Sequence, residues 1–168
     1  MKVKLKKLNS KARLPEQARE GDFAYDVWAV SEEEIHPNVW SYRIGFKYEI
    51  DREDMQLEFD DFFTPSRVRK PNYFLNECNV CVELRPRSSI SDTGMVLANS
   101  PGTLDEFFRG EPRAVFYHVF PQMERYHVGE KIGQICISLS LKARFVWDDD
   151  INENTARGDG GFGSTGKQ

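Results

Sequence analysis

Short runs rich in Val, Ile, Phe and Tyr recur along this chain, separated by Gly, Pro, Asn and Asp. At the N-terminus Val3, Leu5 and Leu8 alternate with lysines, as a strand with a charged outer face would. The pattern predicts strands at 3–8, 25–29, 39–50, 79–85, 114–119, 131–139 and 143–147. The stretch holding Ile132, Ile135, Ile137 and Leu139 is too short and strand-like for a helix. Residues 105–108 leave room for one helical turn between Gly102 and Gly110. No long amphipathic helical stretch and no internal repeat stands out. The expectation is an all-β sandwich or barrel with long loops.

One segment departs from this pattern. Residues 51–76 (DREDMQLEFDDFFTPSRVRKPNYFLN) run from acidic to basic and carry several aromatics. Asp60 and Asp61 read as solvated neighbours rather than metal ligands. Leu57, Phe59, Phe62 and Phe63 suit an interaction surface, which makes this a long excursion between two strands with room for a protein partner.

Composition narrows the classes. The 168 residues suffice for one domain with a substantial core, and no apolar run approaches the roughly 20 residues that span a bilayer. The basic N-terminus lacks the continuous apolar stretch of a secretion signal. A net charge of −4 argues against a general nucleic-acid binder, without excluding a free nucleotide or a protein partner. Three cysteines do not make a disulfide framework, and Cys78-Asn79-Val80-Cys81 sits in strand-like CNVCVEL without a second ligand pair. A reducing, cytoplasmic compartment is the expectation.

Four clusters can carry chemistry. The tail RGDGGFGSTGK gathers glycines that let backbone N–H groups approach an anion, with Arg157, Ser164 and Thr165 as phosphate donors and Phe162 as a stacking ring. Residues 161–167 fit GxxxxGK, but Gln168 follows the lysine and no helix can receive the phosphate, so the P-loop reading fails. A mobile arm, simply floppy or ordering over a nucleotide, remains. Arg85-Pro86-Arg87-Ser88-Ser89-Ile90-Ser91 is either an anion cradle or a solvated basic loop. In 99–111, Asn99 can read an amide-bearing base edge, while Asp105, between Leu104 and aromatics, is either a turn former or a general base. Val128 to Ile135 is ordinary hairpin chemistry, except that Gln134 sits among apolar residues. Asp26 is an acid within an aromatic strand, suited to organising a turn or supporting a metal shell.

Taken in order, these segments resemble the trimeric, all-β dUTPases over most of the chain. FAYDVWA resembles the first motif of that family, PRSSIS the second, NSPGTLDEFFRGE the third, GEKIGQI the fourth and RGDGGFGSTG the fifth. The third and fifth are the specific ones. The resemblance implies a distorted jelly-roll or β-barrel spanning 1–151, and a flexible glycine-rich arm, 152–168, that closes over the active site. It implies hydrolysis of dUTP to dUMP and pyrophosphate, with Mg²⁺ on the triphosphate and a homotrimer whose sites lie between subunits.

By position, the resemblance makes Asp105 the base that activates water. Asp26 supports the metal through water; Arg87, Ser88 and Ser89 contact phosphates, with Gln134 assisting. Asn99 and the hairpin of Gly102, Thr103, Leu104 and Asp105 read uracil, and Phe108 packs under the deoxyribose. Phe162 stacks on uracil as the tail brings Arg157, Gly163, Ser164 and Thr165 to the phosphates. Three departures stand out: Phe108 where the family usually has Tyr, Ser89 where Gly is usual, and Ala24 for another usual Gly. The nearest rival is a dCTP deaminase of the same fold, which would carry a glutamate near Val115; RAVFYHVF contains none. A non-catalytic nucleotide-binding regulatory module is the third reading, favoured only by the 51–76 excursion.

Overall fold

The computed structural model describes residues 1–52, 78–156 and 158. Ten strands run through them: β1 (Lys2–Lys7), β2 (Tyr25–Trp28), β3 (Ser31–His36), β4 (Val39–Arg43), β5 (Phe46–Asp51), β6 (Cys78–Arg85), β7 (Met95–Leu97), β8 (Gly102–Leu104), β9 (Arg113–His118) and β10 (Lys131–Leu141). They form one two-stranded sheet, β1-β5, and two four-stranded sheets, β2-β10-β6-β8 and β3-β4-β9-β7. Every pairing is antiparallel. The fold is all-β and of jelly-roll type; among the described residues none of the sheets closes into a barrel.

The alternation of β6 explains how the core forms. Cys78, Val80, Val82 and Leu84 point inward, while Asn79, Cys81, Glu83 and Arg85 face the other way. Tyr42, Phe116, Ile44, Ile132 and Val27 fill the interior with them. The Tyr42 and Phe116 rings meet edge to face, 5.7 Å apart, and the Tyr42 hydroxyl donates to the Tyr126 carbonyl at 2.8 Å.

Two predicted strands differ. The run 39–50 is two strands in separate sheets, because Gly45 lies between them at φ 81° and turns the chain from β4 into β5. Its amide donates to Glu111 Oε1, and an added Cβ would stand 2.8 Å from that of Ala12, so the turn is packed closed. Residues 143–147 belong to no strand, and Phe145 and Trp147 stand in solvent. Extended chain needs a partner edge to become a strand, and among the described residues none lies there. Conversely, β3, β7 and β8 form where the sequence pattern is weak. β3 carries Glu32, Glu33 and Glu34 and is held as a hairpin against β4 through Asn38 at φ 60°. Among the described residues, no helix is long and apolar enough to cross a membrane.

Candidate active site

The sheet β2-β10-β6-β8 brings three of the motif segments into one line. Gln134 on β10 lies opposite Asp26 on β2 and, on its other side, opposite Arg85 on β6. Directly opposed residues share a face, so Asp26, Gln134 and Arg85 form one polar row across three strands. One position along, Leu84 lies opposite Gly102, which starts the hairpin of the third motif.

Asp26 is the buried centre of this face, only 4% exposed. Arg87 Nε donates to its Oδ1 at 2.8 Å, and Lys131 Nζ lies 2.9 Å from Oδ2. A bulge between Lys131 and Gly133 shifts the register of β10 there. Oδ2 makes no well-formed hydrogen bond despite the nearby ammonium. The acid therefore anchors two cations. Arg87 then reaches Ser89 Oγ through Nη1 at 3.4 Å, and Gln134 Nε2 donates to the Pro86 carbonyl at 3.3 Å. Ser88 and Ser89 belong to a 3-10 turn, Ser88–Asp92, which follows an extended Arg87. Beside them stands the buried Tyr126, its hydroxyl pKa raised by burial; Ser89 and Arg87 oppose that rise.

The third motif forms its own unit. Gly102 is buried, and a Cβ there would meet Asn99 Nδ2 and the Leu84 carbonyl at 3.3 Å, so any side chain would press the hairpin a few tenths of an ångström away from β6. Asn99, Thr103 and Asp105 are exposed, and Leu104 is half-buried. The Asp105 carbonyl accepts from the Tyr48 hydroxyl at 2.7 Å and from the Phe108 amide at 2.9 Å. Burial, and then the Asp105 charge, push the Tyr48 pKa up to about 12, so its proton stays in place for that bond. The exposed Phe108 ring packs over Gly110, where an added Cβ would fall 2.4 Å from its Cζ.

The structure thus gathers Asp26, Arg87, Ser88, Ser89 and Gln134 into one cradle, and Asn99, Gly102, Thr103, Leu104, Asp105 and Phe108 into one hairpin. Arg157, Phe162, Gly163, Ser164 and Thr165 lie outside the described residues, as do 53–76 of the excursion. Sequence reasoning missed Lys131, Tyr48, Arg52 and Glu106. Lys131 had a signal, since GEK places a cation three residues before Gln134 on the same strand.

Fold and face together define an all-β protein with a basic, hydroxyl-bearing cradle for an anionic ligand and a separate polar hairpin. No protein-family model matches the chain. A deoxyuridine 5'-triphosphate nucleotidohydrolase of Helicobacter pylori (strain J99) is 30% identical over 168 residues, 99% of this chain and 97% of that protein. Among solved structures, a mutant dUTPase of Staphylococcus bacteriophage 80alpha with dUpNHpp aligns with TM-score 0.71 and 18% identity, covering 99% of each chain. A mutant dUTPase from phage phi11 of S. aureus, whose structure details the coordination of a structural Mg(II) ion, aligns with TM-score 0.62 and 14% identity over 90% of this chain and 99% of that one. At those identities the two structures speak for the fold. The chain belongs to the deoxyuridine 5'-triphosphate nucleotidohydrolases, the dUTPases.

Proposed function

We propose that this chain hydrolyses dUTP to dUMP and pyrophosphate, with the cradle on the phosphates and the hairpin on uracil and the reacting phosphorus. The observation that carries the reading is the Asp26–Gln134–Arg85 row, continued by Arg87 and flanked by the Gly102 hairpin, in a chain of the dUTPase family. Asp105 takes a proton from water as its oxygen attacks the α-phosphorus. The P–O bond to the β-phosphate breaks, and pyrophosphate leaves with those electrons. Arg87 keeps guanidinium N–H groups beyond the one on Asp26, and these suit phosphate oxygens alongside Ser88 and Ser89. Asn99 with the backbone of Gly102, Thr103 and Leu104 reads uracil, Phe108 supports the sugar and Gln134 assists near the reacting phosphate. Phe162 then stacks on the base, and Arg157, Gly163, Ser164 and Thr165 close on the triphosphate.

Among the described residues no group of three or more His, Cys, Asp or Glu side chains could hold a metal ion. Mg²⁺ commonly keeps several waters and binds through one or two carboxylates plus substrate phosphates. Asp26, a carboxylate shared by Arg87 and Lys131 beside the cradle, is the acid suited to supporting through water an ion carried in on the nucleotide. Bound there, the ion would offset phosphate charge and fix phosphate orientation.

A homotrimer with sites between chains belongs to the same proposal, and the register of β6 supports a site built from more than one chain. β8 runs antiparallel to β6, so Asp105 follows Leu104 toward the Cys81 end, while Arg87 lies beyond Arg85 at the other end. From position 81 to 87, extended chain covers about 20 Å. At that separation two copies, each supplying one end, bring the base and the cradle onto one triphosphate more readily than a single chain does. The exposed apolar side chains Leu141, Phe145, Val146, Trp147 and Ile151 also suit contact with a neighbouring copy. Free Cys78, Cys81 and Cys136 support a cytoplasmic setting.

The test is pyrophosphate release from dUTP, dCTP, dTTP and UTP with Mg²⁺. Turnover of dUTP far above the others is expected. No release from dUTP refutes the reading, and ammonia from dCTP would mark the deaminase instead, against a β9 strand that carries no carboxylate.

A further inference from the structure

We propose that Glu106 is a positioning residue for the Asp105 carboxylate, acting through a buried clamp with Arg52 and in concert with the Tyr48 hydroxyl. The inference rests on the reading of Asp105 as the base.

Neighbouring side chains at this point face opposite ways. Asp105 is exposed, and Glu106 is 8% exposed, a carboxylate turned into the protein directly beside the reacting one. Both Glu106 oxygens are engaged: Arg52 Nε donates to Oε1 and Nη2 to Oε2, a fork-on-fork pair. Oε2 also accepts from the Val80 amide at 3.2 Å, and Arg52 Nη2 donates to the Cys78 carbonyl at 3.2 Å. The Arg52 bonds hold the Glu106 carboxyl well below the usual carboxylate range, against the opposing effect of burial. On the other side of the Asp105–Glu106 peptide, the Asp105 carbonyl is held by Tyr48 and by the Phe108 amide. Arg109 Nη1 donates to the Glu106 carbonyl at 3.0 Å. The Asp105 and Glu106 carbonyls and the inward side chain are thus tied to Tyr48 of β5, to Arg52, to Val80 of β6 and to the turn itself. The Asp105 carboxylate is left facing solvent.

Stability alone does not call for this arrangement. The ladder of Val82, Glu83 and Leu84 with Leu104, Thr103 and Gly102 already joins the hairpin to β6. Apolar residues of similar volume often stabilise as well as a buried ion pair does. A rigid, doubly bonded pair supplies something an apolar contact does not, a fixed direction. That matters most next to a group whose placement enters the rate, where an error near 1 Å costs on the order of a hundredfold.

The test compares Glu106→Gln, Arg52→Lys and Tyr48→Phe with the unaltered full-length protein. Turnover is measured per competent site, sites being counted by titration with a non-hydrolysable dUTP analogue. Glu106→Gln keeps the shape of the pair and removes its charge, and Arg52→Lys keeps charge and loses the fork. Both are expected to lower per-site kcat about 10- to 100-fold while the analogue's dissociation constant stays within about twofold. Tyr48→Phe is expected to lower kcat several-fold in the same pattern. Per-site kcat equal to that of the unaltered protein overturns the proposal, as does a loss of kcat and affinity in parallel, the mark of a merely structural role. Should Glu106→Gln fail to fold, the other two variants decide. Asp105→Asn is run alongside. If it retains full turnover, the assignment of the base has failed; if it is inactive while Glu106→Gln is not impaired, only the positioning role has failed.

Discussion

Two adjacent carboxylates, Asp105 and Glu106, differ in everything but charge. Asp105 drew attention in the sequence because an apolar residue precedes it and aromatics follow it, and because its place in the third motif resembles that of the family's base. Glu106 was not legible, since its meaning depends on Arg52, 54 positions earlier, and no local pattern connects them. The Asp26 cradle divides in the same way: Arg87 and Gln134 stand out from their motifs, while the second cation, Lys131, is hinted at by GEK and is brought to Asp26 only by the fold of β10. The Glu106 clamp predicts a pH dependence of stability. Its folded pKa lies below the ordinary value of 4.5, so the charged form is favoured in the native state. Its contribution is present above that ordinary value and is lost as pH falls through the lower, folded one. Denaturation of the unaltered protein and of Glu106→Gln should therefore differ most near neutral pH. The gap should close progressively below about pH 4.5; a gap independent of pH would remove the charge from the explanation.

At the scale of elements, strands with strong β-branched and aromatic content were readable to within one or two residues, as with β1, β2, β6, β9 and β10. The errors share a cause, which is that pairing partners are not encoded locally. Gly45 divides an otherwise continuous strand-like run between two sheets. The Glu-rich β3 forms because β4 offers it an edge, and 143–147 has strand composition without an edge to join among the described residues. Close backbone approach is equally silent in sequence. Gly94 lies between the cradle turn and β7, and a Cβ there would come within 2.3 Å of the Phe120 carbonyl oxygen. That neighbour is backbone and cannot swing aside. Gly94→Ala should cost about 1–3 kcal/mol of stability, read as a lowered thermal midpoint, because overpacking forces the chain to shift. An unchanged midpoint would mean the 94–120 contact opens freely.

For the whole molecule, the separation of base and cradle along β6 has a consequence that mixing can expose. Asp105→Asn retains a sound cradle, and Arg87→Ala retains a sound hairpin. Each alone should be nearly inactive. Unfolded together and refolded as mixed assemblies, they should recover about a quarter of the activity of the unaltered protein, since random pairing joins a sound hairpin to a sound cradle in that share of shared sites. Recovery no greater than the sum of the two variants would place each site within one chain.

The contact between Arg52 and the Cys78 carbonyl has a meaning of its own. Arg52, at the start of the long excursion, is tied both to Cys78 just beyond its end and to Glu106. Whatever chain joins these two ends is thereby coupled, through Arg52, to the residue beside Asp105. Strain introduced at either end should register first as a change in turnover rather than as a loss of fold.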